Sequence, residues 1–264
     1  KDKAEIIAEH LKRVLKIADT YGFNCEIWGD MYINAAYGGI GGIYNHTKDE
    51  SERVAKLVPR NLKLCYWDYF STDATHYEKL IDKHRRLTDN VSFAGGIWTW
   101  TGYCPNNRYS IKITEAAVKA CMKKGITEVY FCMWGDNGGE CSPFGVLPSL
   151  VAASRFAKGD FDMQNVRREF EEKIGMDFDR FCVLEKPDAV YASSDIEPNY
   201  DDPSKVMLFT DPFCGIFDLR VKEGVAPVYY ARLADDLADG ENHPKWGYIF
   251  KNIRALCKVL EIKF

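Results

Sequence analysis

The sequence predicts an α/β fold: half of a (β/α)8 barrel followed by a mainly helical region. Short aromatic and β-branched runs alternate with amphipathic helix patterns through residue 159. The repeat is about 30 to 40 residues long, which is typical of strand–helix–strand units in a parallel sheet with right-handed crossovers. No such repeat follows residue 159. Four units are half of a barrel, because a complete one has eight strands in about 250 residues.

The predicted elements alternate in chain order. The first helix places Ile7, Leu11, Val14, Leu15 and Ala18 on one face and ends near Gly22. Strands are predicted over 25–32, 63–70, 91–100 and 128–136. A glycine-rich loop over 37–44 follows the first strand, and helices are predicted over 49–57, 74–87, 113–124 and 146–158.

The pattern changes at residue 160. The segments QNVRREFEEKIG and YYARLADDLADG and residues 248–260 are helical in pattern, and a proline-containing stretch ending in VMLFTDPFCGIFD separates the first two. We therefore divide the chain into a partial barrel, 1–159, and a helical domain, 160–264. The last helix reaches the end of the sequence without a capping signal, so we expect this domain to be truncated.

Composition excludes several classes of protein. A hydrophobic fraction of 46% with 28% charged residues is that of a globular chain, and no apolar run approaches the roughly 20 residues that cross a bilayer. The net charge of -4 comes without a basic stripe, which argues against nucleic acid as a partner. Nine cysteines without a CxxC pair indicate reduced thiols in a cytoplasmic protein, and neither a metal nor a cofactor is expected.

A tryptophan lies near the end of each predicted strand, beside a carboxylate or another aromatic residue. The carboxyl ends of barrel strands meet at one mouth, where active sites lie. Indole rings stack on the C–H faces of sugars while carboxylates accept from hydroxyls, so this mouth is suited to a carbohydrate. The alternative is that these tryptophans fill the core. The four motifs are Trp28-Gly29-Asp30, Trp67-Asp68-Tyr69, Trp98-Thr99-Trp100 and Trp134-Gly135-Asp136.

Other polar residues give weaker signals. Asn137 and Glu140 in WGDNGGE can reach sugar hydroxyls or hydrogen-bond within their own loop. The five histidines fall on predicted helices or loops, and we interpret them as structural or solvated. No serine elbow, Walker loop or Rossmann glycine motif is present.

Five segments together resemble the intracellular β-N-acetylhexosaminidases of glycoside hydrolase family 20, in the branch that includes enzymes of Gram-positive bacteria. They are IWGDMY, YWDYF, FAGGIWTWTGYCPNNR, EVYFCMWGDNGGECSPF and TDPFCGIFD. The resemblance implies a (β/α)8 barrel in which the four predicted strands are strands 5 to 8. It also implies removal of terminal N-acetylglucosamine or N-acetylgalactosamine from glycans.

The resemblance further implies an unusual retaining mechanism. The acetamido oxygen of the substrate attacks the anomeric carbon in this family, assisted by an adjacent Asp-Glu pair after the fourth strand. That pair is expected upstream of this chain, which would then be inactive alone. Asp49-Glu50 is not a candidate, because it opens a polar helix and follows no strand.

The resemblance also assigns roles in the sugar pocket. Trp28, Trp67 and Trp134 match its aromatic walls, with Trp98 or Trp100 added to them. The carboxylate that binds the C4 and C6 hydroxyls corresponds to Asp136. The tyrosine that holds the acetamido oxygen is Tyr69 as first choice and Tyr103 as second. Asp68 assists the same group, Glu140 reaches hydroxyls, and Asp30 braces Trp28.

Two alternatives remain open from the sequence. One is a non-catalytic sugar-binding half-barrel that forms a homodimer to cover its exposed strand edges. The other is a conventional retaining glycosidase with two carboxylates about 5 to 5.5 Å apart, drawn from Asp30, Asp68, Asp136 and Glu140.

Overall fold

The structure, a computed structural model, describes residues 1–38, 46–190, 203–211, 213, 215 and 224–264. These residues form two compact units. The first comprises Lys1–Gly96 and Ala116–Cys132, and the second Ile97–Glu115 and Met133–Phe264. The glycine-rich loop predicted over 37–44 and most of the TDPFCGIFD segment lie outside the described residues.

The first unit contains a four-stranded parallel sheet, as predicted. Its strands are adjacent in chain order, with Trp28 opposite Cys65, Trp67 opposite Ala94, and Phe93 opposite Val129. The strands are β1 (Glu26–Trp28), β2 (Lys63–Trp67), β3 (Val91–Gly96) and β4 (Val129–Cys132). The helices are α1 (Lys3–Thr20), α2 (Asp30–Tyr37), α3 (Ser51–Ala55), α4 (Ala74–Arg85) and α5 (Asn107–Lys124), whose second half belongs to this unit.

The first strand is shorter than predicted, because the chain turns from strand to helix at Gly29. The Gly29 backbone donates to the Cys65 carbonyl at 2.8 Å, and its own carbonyl accepts from Ile33, 3.0 Å away. A β-carbon at Gly29 would lie 2.9 Å from the His84 ring, so only glycine fits here without displacement. Residues 30–32, predicted as strand, therefore open α2.

Alternating positions on the strands face opposite sides of the sheet. Leu64 packs with α1, α2 and α3, while Tyr66 and Phe93 pack with α4 and the second half of α5. The other face carries Trp28 and Tyr130, which are 41% and 46% exposed. It also carries a polar network in which Tyr130 bonds to Glu26 and Glu128, Glu26 to Ser92, and Glu128 to Lys63.

The second unit is mainly helical. Phe181 is fully buried and contacts Phe170 and Phe250 with ring centroids 5.3 and 5.8 Å apart, which joins three helices in one aromatic cluster. Its helices, after the first half of α5, are α6 (Leu147–Phe156), α7 (Met163–Ile174), α8 (Phe178–Cys182), α9 (Pro203–Phe209), α10 (Val225–Ala238) and α11 (Gly247–Lys263). A helical region after residue 160 is thus observed, and the boundary after residue 159 stays a prediction.

Two observations on the described residues concern expectations drawn from the amino-acid composition: the state of the cysteines and the apolar character of the helices. Their eight cysteines are free thiols, six of them buried and two partly exposed. Among the helices of the described ranges, none combines the length and the apolar character that a bilayer span requires.

A desolvated carboxyl group lies in the helical unit. Asp188, in the 3-10 helix Val183–Ala189, accepts a hydrogen bond from the Ser204 backbone at 3.0 Å. Burial raises the pKa of Asp188 from 3.8 to about 6, although the hydrogen bonds from Ser204 partly oppose the shift. The folded protein therefore holds this proton more tightly than the unfolded chain. Stability falls as the pH rises from 3.8 to 6, and the cost above pH 6 is about 3 kcal/mol.

We predict that Asp188→Asn flattens this pH dependence, because asparagine keeps an acceptor for Ser204 and carries no charge. At pH 8 the variant should be up to about 3 kcal/mol more stable than the parent, and at pH 4 within about 1 kcal/mol of it. Urea unfolding at several pH values measures the difference. Asp235→Asn, on the exposed side of α10, is the matched control and should follow the parent. Parallel curves for the parent and Asp188→Asn would show that this carboxyl is not the cause.

Candidate functional site

The first group of candidate residues lies at the carboxyl edge of the sheet in the first unit. Trp28 and Trp67 are the last residues of β1 and β2, as the sequence predicted. Trp28 lines a cavity of about 540 Å³ together with Met31 and Tyr130. This cavity opens on the exposed face of the sheet and has an apolar wall with one carboxylate, Glu26.

Trp67 is held in place by two neighbours. Its indole Nε1 donates to Asp30 Oδ1 at 3.3 Å, and its ring centroid lies 5.3 Å from that of Tyr69. Asp30 is the first residue of α2, which begins beside the end of β2. The predicted brace for Trp28 is therefore seen to hold Trp67.

The Asp68 carboxylate is buried and accepts several hydrogen bonds from the surrounding protein. It is 1% exposed. Its Oδ2 accepts from the Tyr66 hydroxyl at 2.8 Å and from His76 Nε2 at 2.7 Å, and its Oδ1 accepts from the Phe70 backbone at 3.1 Å. These hydrogen bonds fix the turn that follows β2. A role of Asp68 toward a substrate group stays a prediction.

His76 has a structural role, in agreement with the interpretation of the histidines, although its partner was not predicted. It lies in the first turn of α4 with its side chain 34% exposed and bonds to Asp68. A signal for it exists in the sequence. Asp73 caps α4 through the Thr75 backbone, so the first turn of that helix must lie beside the residues that follow β2.

Tyr69 lies within the same turn. It is 7% exposed, and its ring centroid is 5.3 Å from Trp67 and 6.0 Å from Phe70. The Asp68 hydrogen bonds therefore set the position of Tyr69 as well. Its role toward an acetamido group stays a prediction.

The second group belongs to the second unit and begins with the two tryptophans after β3. Trp98 is 1% exposed and packs edge-on against Tyr109, with Ile113 in the same cluster. Its rings pack in the core of this unit, and its role as a wall of a sugar pocket stays a prediction. Trp100 is only half-buried and lies 4.7 Å from Trp98 between ring centroids. Trp100 is therefore the more accessible of these two tryptophans for stacking on a sugar.

The loop after β4 carries the next candidates. Trp134 is 37% exposed, and its carbonyl accepts from Thr99 Oγ1 at 2.9 Å, which ties this loop to the one after β3. Asp136 is exposed and opens a short 3-10 helix, Asp136–Gly138. An exposed carboxylate two residues after an exposed indole is a suitable acceptor for sugar hydroxyls.

Glu140, in contrast, already has a partner. Its Oε1 accepts from Lys205 Nζ at 2.7 Å, and this hydrogen bond holds the pKa of Glu140 below its usual value. Lys205 also donates to the Asn137 carbonyl. Lys205 was not among the predicted site residues, and no local pattern connects it with a loop 65 residues earlier.

One cavity brings two predicted residues together. Tyr103 and Glu140 both line a space of about 460 Å³ whose remaining wall is largely apolar and comes from Leu208 and α11. A space of this size holds a small ligand with a polar end and an apolar body.

The dipeptide Asp49-Glu50 has a structural role, as expected. Asp49 accepts from the Ser51 backbone at 3.1 Å, and Glu50 pairs with Lys48 and Arg53 at 2.7 Å each. Both residues support the start of α3. Neither is a catalytic carboxylate by position.

The comparisons with known proteins concern the helical region. The model of the family described as the Glycoside Hydrolase 20C C-terminal domain matches residues 179–264. No curated protein matches the chain. The matched range covers α9, α10 and α11 and includes Lys205. Residues 179–264 are therefore similar to the C-terminal domain of glycoside hydrolase family 20C, which agrees with the resemblance to glycoside hydrolase family 20 that the motifs indicated.

Proposed function

We propose that this chain forms the sugar-binding part of a β-N-acetylhexosaminidase, with β1 to β4 as strands 5 to 8 of a (β/α)8 barrel. The family match to residues 179–264 carries this proposal. The parallel sheet supports it, since aromatic and acidic residues follow the carboxyl ends of its strands, where barrel enzymes bind their substrates.

The exposed side of the sheet supports the half-barrel interpretation. Among the described strands, β1 and β4 each pair with one neighbour only. The face opposite the helices holds Trp28, Tyr130 and a charged network at positions that point inward in a closed barrel. Four further strands would cover both edges and this face.

Catalysis in the proposed enzyme uses the acetamido group of the substrate as the nucleophile. Its Asp-Glu pair comes from the other half of the barrel, since the only Asp-Glu dipeptide of this sequence, Asp49-Glu50, supports the start of α3. The residues of this chain then bind and orient the sugar. For this role we keep Trp28, Trp67 and Tyr69 of the first unit as candidates, with Tyr69 as the first choice for the acetamido oxygen. In the second unit the candidates are Trp100 and Trp134 for stacking, Asp136 for hydroxyl groups, and Tyr103 as the second choice for the acetamido oxygen.

The carboxylate contacts weigh against a conventional two-carboxylate glycosidase. Asp68 is buried under three hydrogen bonds, Asp30 accepts from Trp67, and Glu140 is paired with Lys205. A nucleophile or general acid needs an oxygen that reaches the substrate. The homodimeric sugar-binding half-barrel stays as the second candidate, because a second copy would also cover the open sheet edges.

We predict that the chain binds N-acetyl-D-glucosamine and N-acetyl-D-galactosamine more tightly than glucose, which lacks the acetamido group. Trp134→Ala should weaken binding about 2- to 10-fold through lost stacking, and Asp136→Asn about 10-fold or more through lost charged hydrogen bonds. Calorimetric titration measures both. Tyr248→Ala, which removes an exposed aromatic side chain on α11, is the matched control and should leave binding unchanged. Equal affinity for glucose and the two acetamido sugars would contradict the proposal.

A hydrolysis assay separates the three candidate functions. We expect this chain alone to release no nitrophenol from nitrophenyl N-acetylglucosaminide. Release blocked by a thiazoline mimic of the oxazolinium intermediate would place the whole acetamido mechanism in this chain. Release insensitive to that mimic would favour a carboxylate nucleophile. Sugar binding without release by a dimer in solution would favour the second candidate.

We predict that Asp68 and His76 act together in stabilising the turn that carries Tyr69. Asp68→Asn should lower the free energy of unfolding by about 2 to 3 kcal/mol, because a buried charged acceptor with three donors is lost. The double variant with His76→Ala should cost less than the sum of the single variants by about 1 kcal/mol. His10→Ala, on the exposed side of α1, is the control and should have no effect. Strict additivity would show that the two residues are independent.

A further inference from the structure

We propose that Lys205 is a positioning residue that holds the loop from Trp134 to Cys141 in its binding conformation. The helical region would then contribute to the sugar site by bracing this loop. The identity of the ligand rests on the proposed function, whereas the brace itself rests on contacts within the second unit.

The loop turns sharply after Asp136. Asn137, Gly138 and Gly139 have φ angles of 56°, 102° and 67°, three consecutive residues on the left-handed side. Glycine adopts this region freely and asparagine tolerates it better than most residues, so the backbone here is shaped by a turn and not by a helix or strand. These three residues lie directly after Asp136, so a change in their conformation moves the Asp136 carboxylate.

The Glu140 side chain folds back over the same residues. A β-carbon at Gly138 would lie 2.4 Å from Glu140 Oε1, and one at Gly139 would lie 3.3 Å from the Gly135 carbonyl oxygen. The loop is therefore closed on itself around the Glu140 carboxylate. An ionised carboxylate only accepts hydrogen bonds, and Glu140 accepts from its own backbone N–H and from a donor outside the loop.

Lys205 supplies that donor. Its Nζ bonds to Glu140 Oε1 at 2.7 Å and to the Asn137 carbonyl, and its side chain is only 15% exposed. The Lys205 ammonium group therefore binds the loop on both sides of Gly138 and Gly139, at Asn137 and at Glu140. The contact is more than a surface ion pair, because it also satisfies a backbone carbonyl of the loop.

The helix that carries Lys205 is itself anchored. On α9, Met207 is 2% exposed, and its carbonyl and that of Leu208 accept from Lys263 Nζ of α11 at 2.7 and 2.8 Å. The position of Lys205 is thus set by the core of the helical region. A rigid donor of this kind fixes the loop before a ligand arrives, which lowers the entropic cost of binding.

The test compares Lys205→Met, which removes the charge, with Lys205→Arg, which keeps it. Lys251→Met, an exposed lysine on α11, is the matched control. We expect Lys205→Met to weaken N-acetyl-D-glucosamine binding about tenfold and to speed amide exchange in residues 135–141, with the melting temperature within about 2 °C of the parent. Lys205→Arg should restore most of the affinity and of the protection, and Lys251→Met should match the parent.

The two proposals fail in different ways. If the parent chain does not bind the sugar, the proposed function fails, and amide exchange in residues 135–141 still tests the brace. Unchanged exchange there in Lys205→Met overturns the role of Lys205 whatever the sugar does. Faster exchange throughout the helical region, with a large fall in melting temperature, also overturns it, because Lys205 would then be a general stabilising residue.

Discussion

The parallel pairing of β1 to β4 is the constraint on which the rest of the structure depends. Parallel strands place all their carboxyl ends at one edge of a sheet, and each return to the other edge requires a helix. The described helices of the first unit pack on the face where Leu64, Tyr66 and Phe93 are buried. Polar and aromatic residues are left for the other face and for the loops after the strands. A candidate site at that edge follows from the pairing before any single residue is considered.

The two groups of candidate residues are built in different ways. In the first unit, a buried carboxylate fixes a turn, since Asp68 gathers Tyr66, Phe70 and His76 and thereby positions Tyr69. In the second unit, an outside cation fixes a loop, since Lys205 binds both the Glu140 carboxylate and a loop carbonyl. In both cases a carboxylate that was predicted to contact the ligand, Asp68 or Glu140, forms hydrogen bonds within the protein. Asp136 is the exposed carboxylate that remains for hydroxyl groups.

Two ionisable residues of the helical region, Asp188 and Lys205, differ in their surroundings. Asp188 is desolvated and favours its protonated form, so it makes the fold less stable as the pH rises from 3.8 to 6. Lys205 is paired with Glu140 at 2.7 Å. Its proposed role gives the matched C-terminal domain a part in binding as well as in packing.

Sequence alone determined the alternation of strands and helices, the parallel sheet and the resemblance to glycoside hydrolase family 20, because periodicity and long motifs are local properties. It missed α2, whose first residues were predicted as strand. It placed β2 to within three residues and both Trp28 and Trp67 at strand ends. Only the tertiary structure decided which aromatic and acidic residues are accessible. Trp98 is buried while Trp100 is not, and Asp68 is an internal acceptor for a histidine eight positions away. Lys205 reaches its loop across 65 residues. Burial and long-range contacts depend on which distant segments of the chain pack together, and a local sequence pattern does not specify those segments.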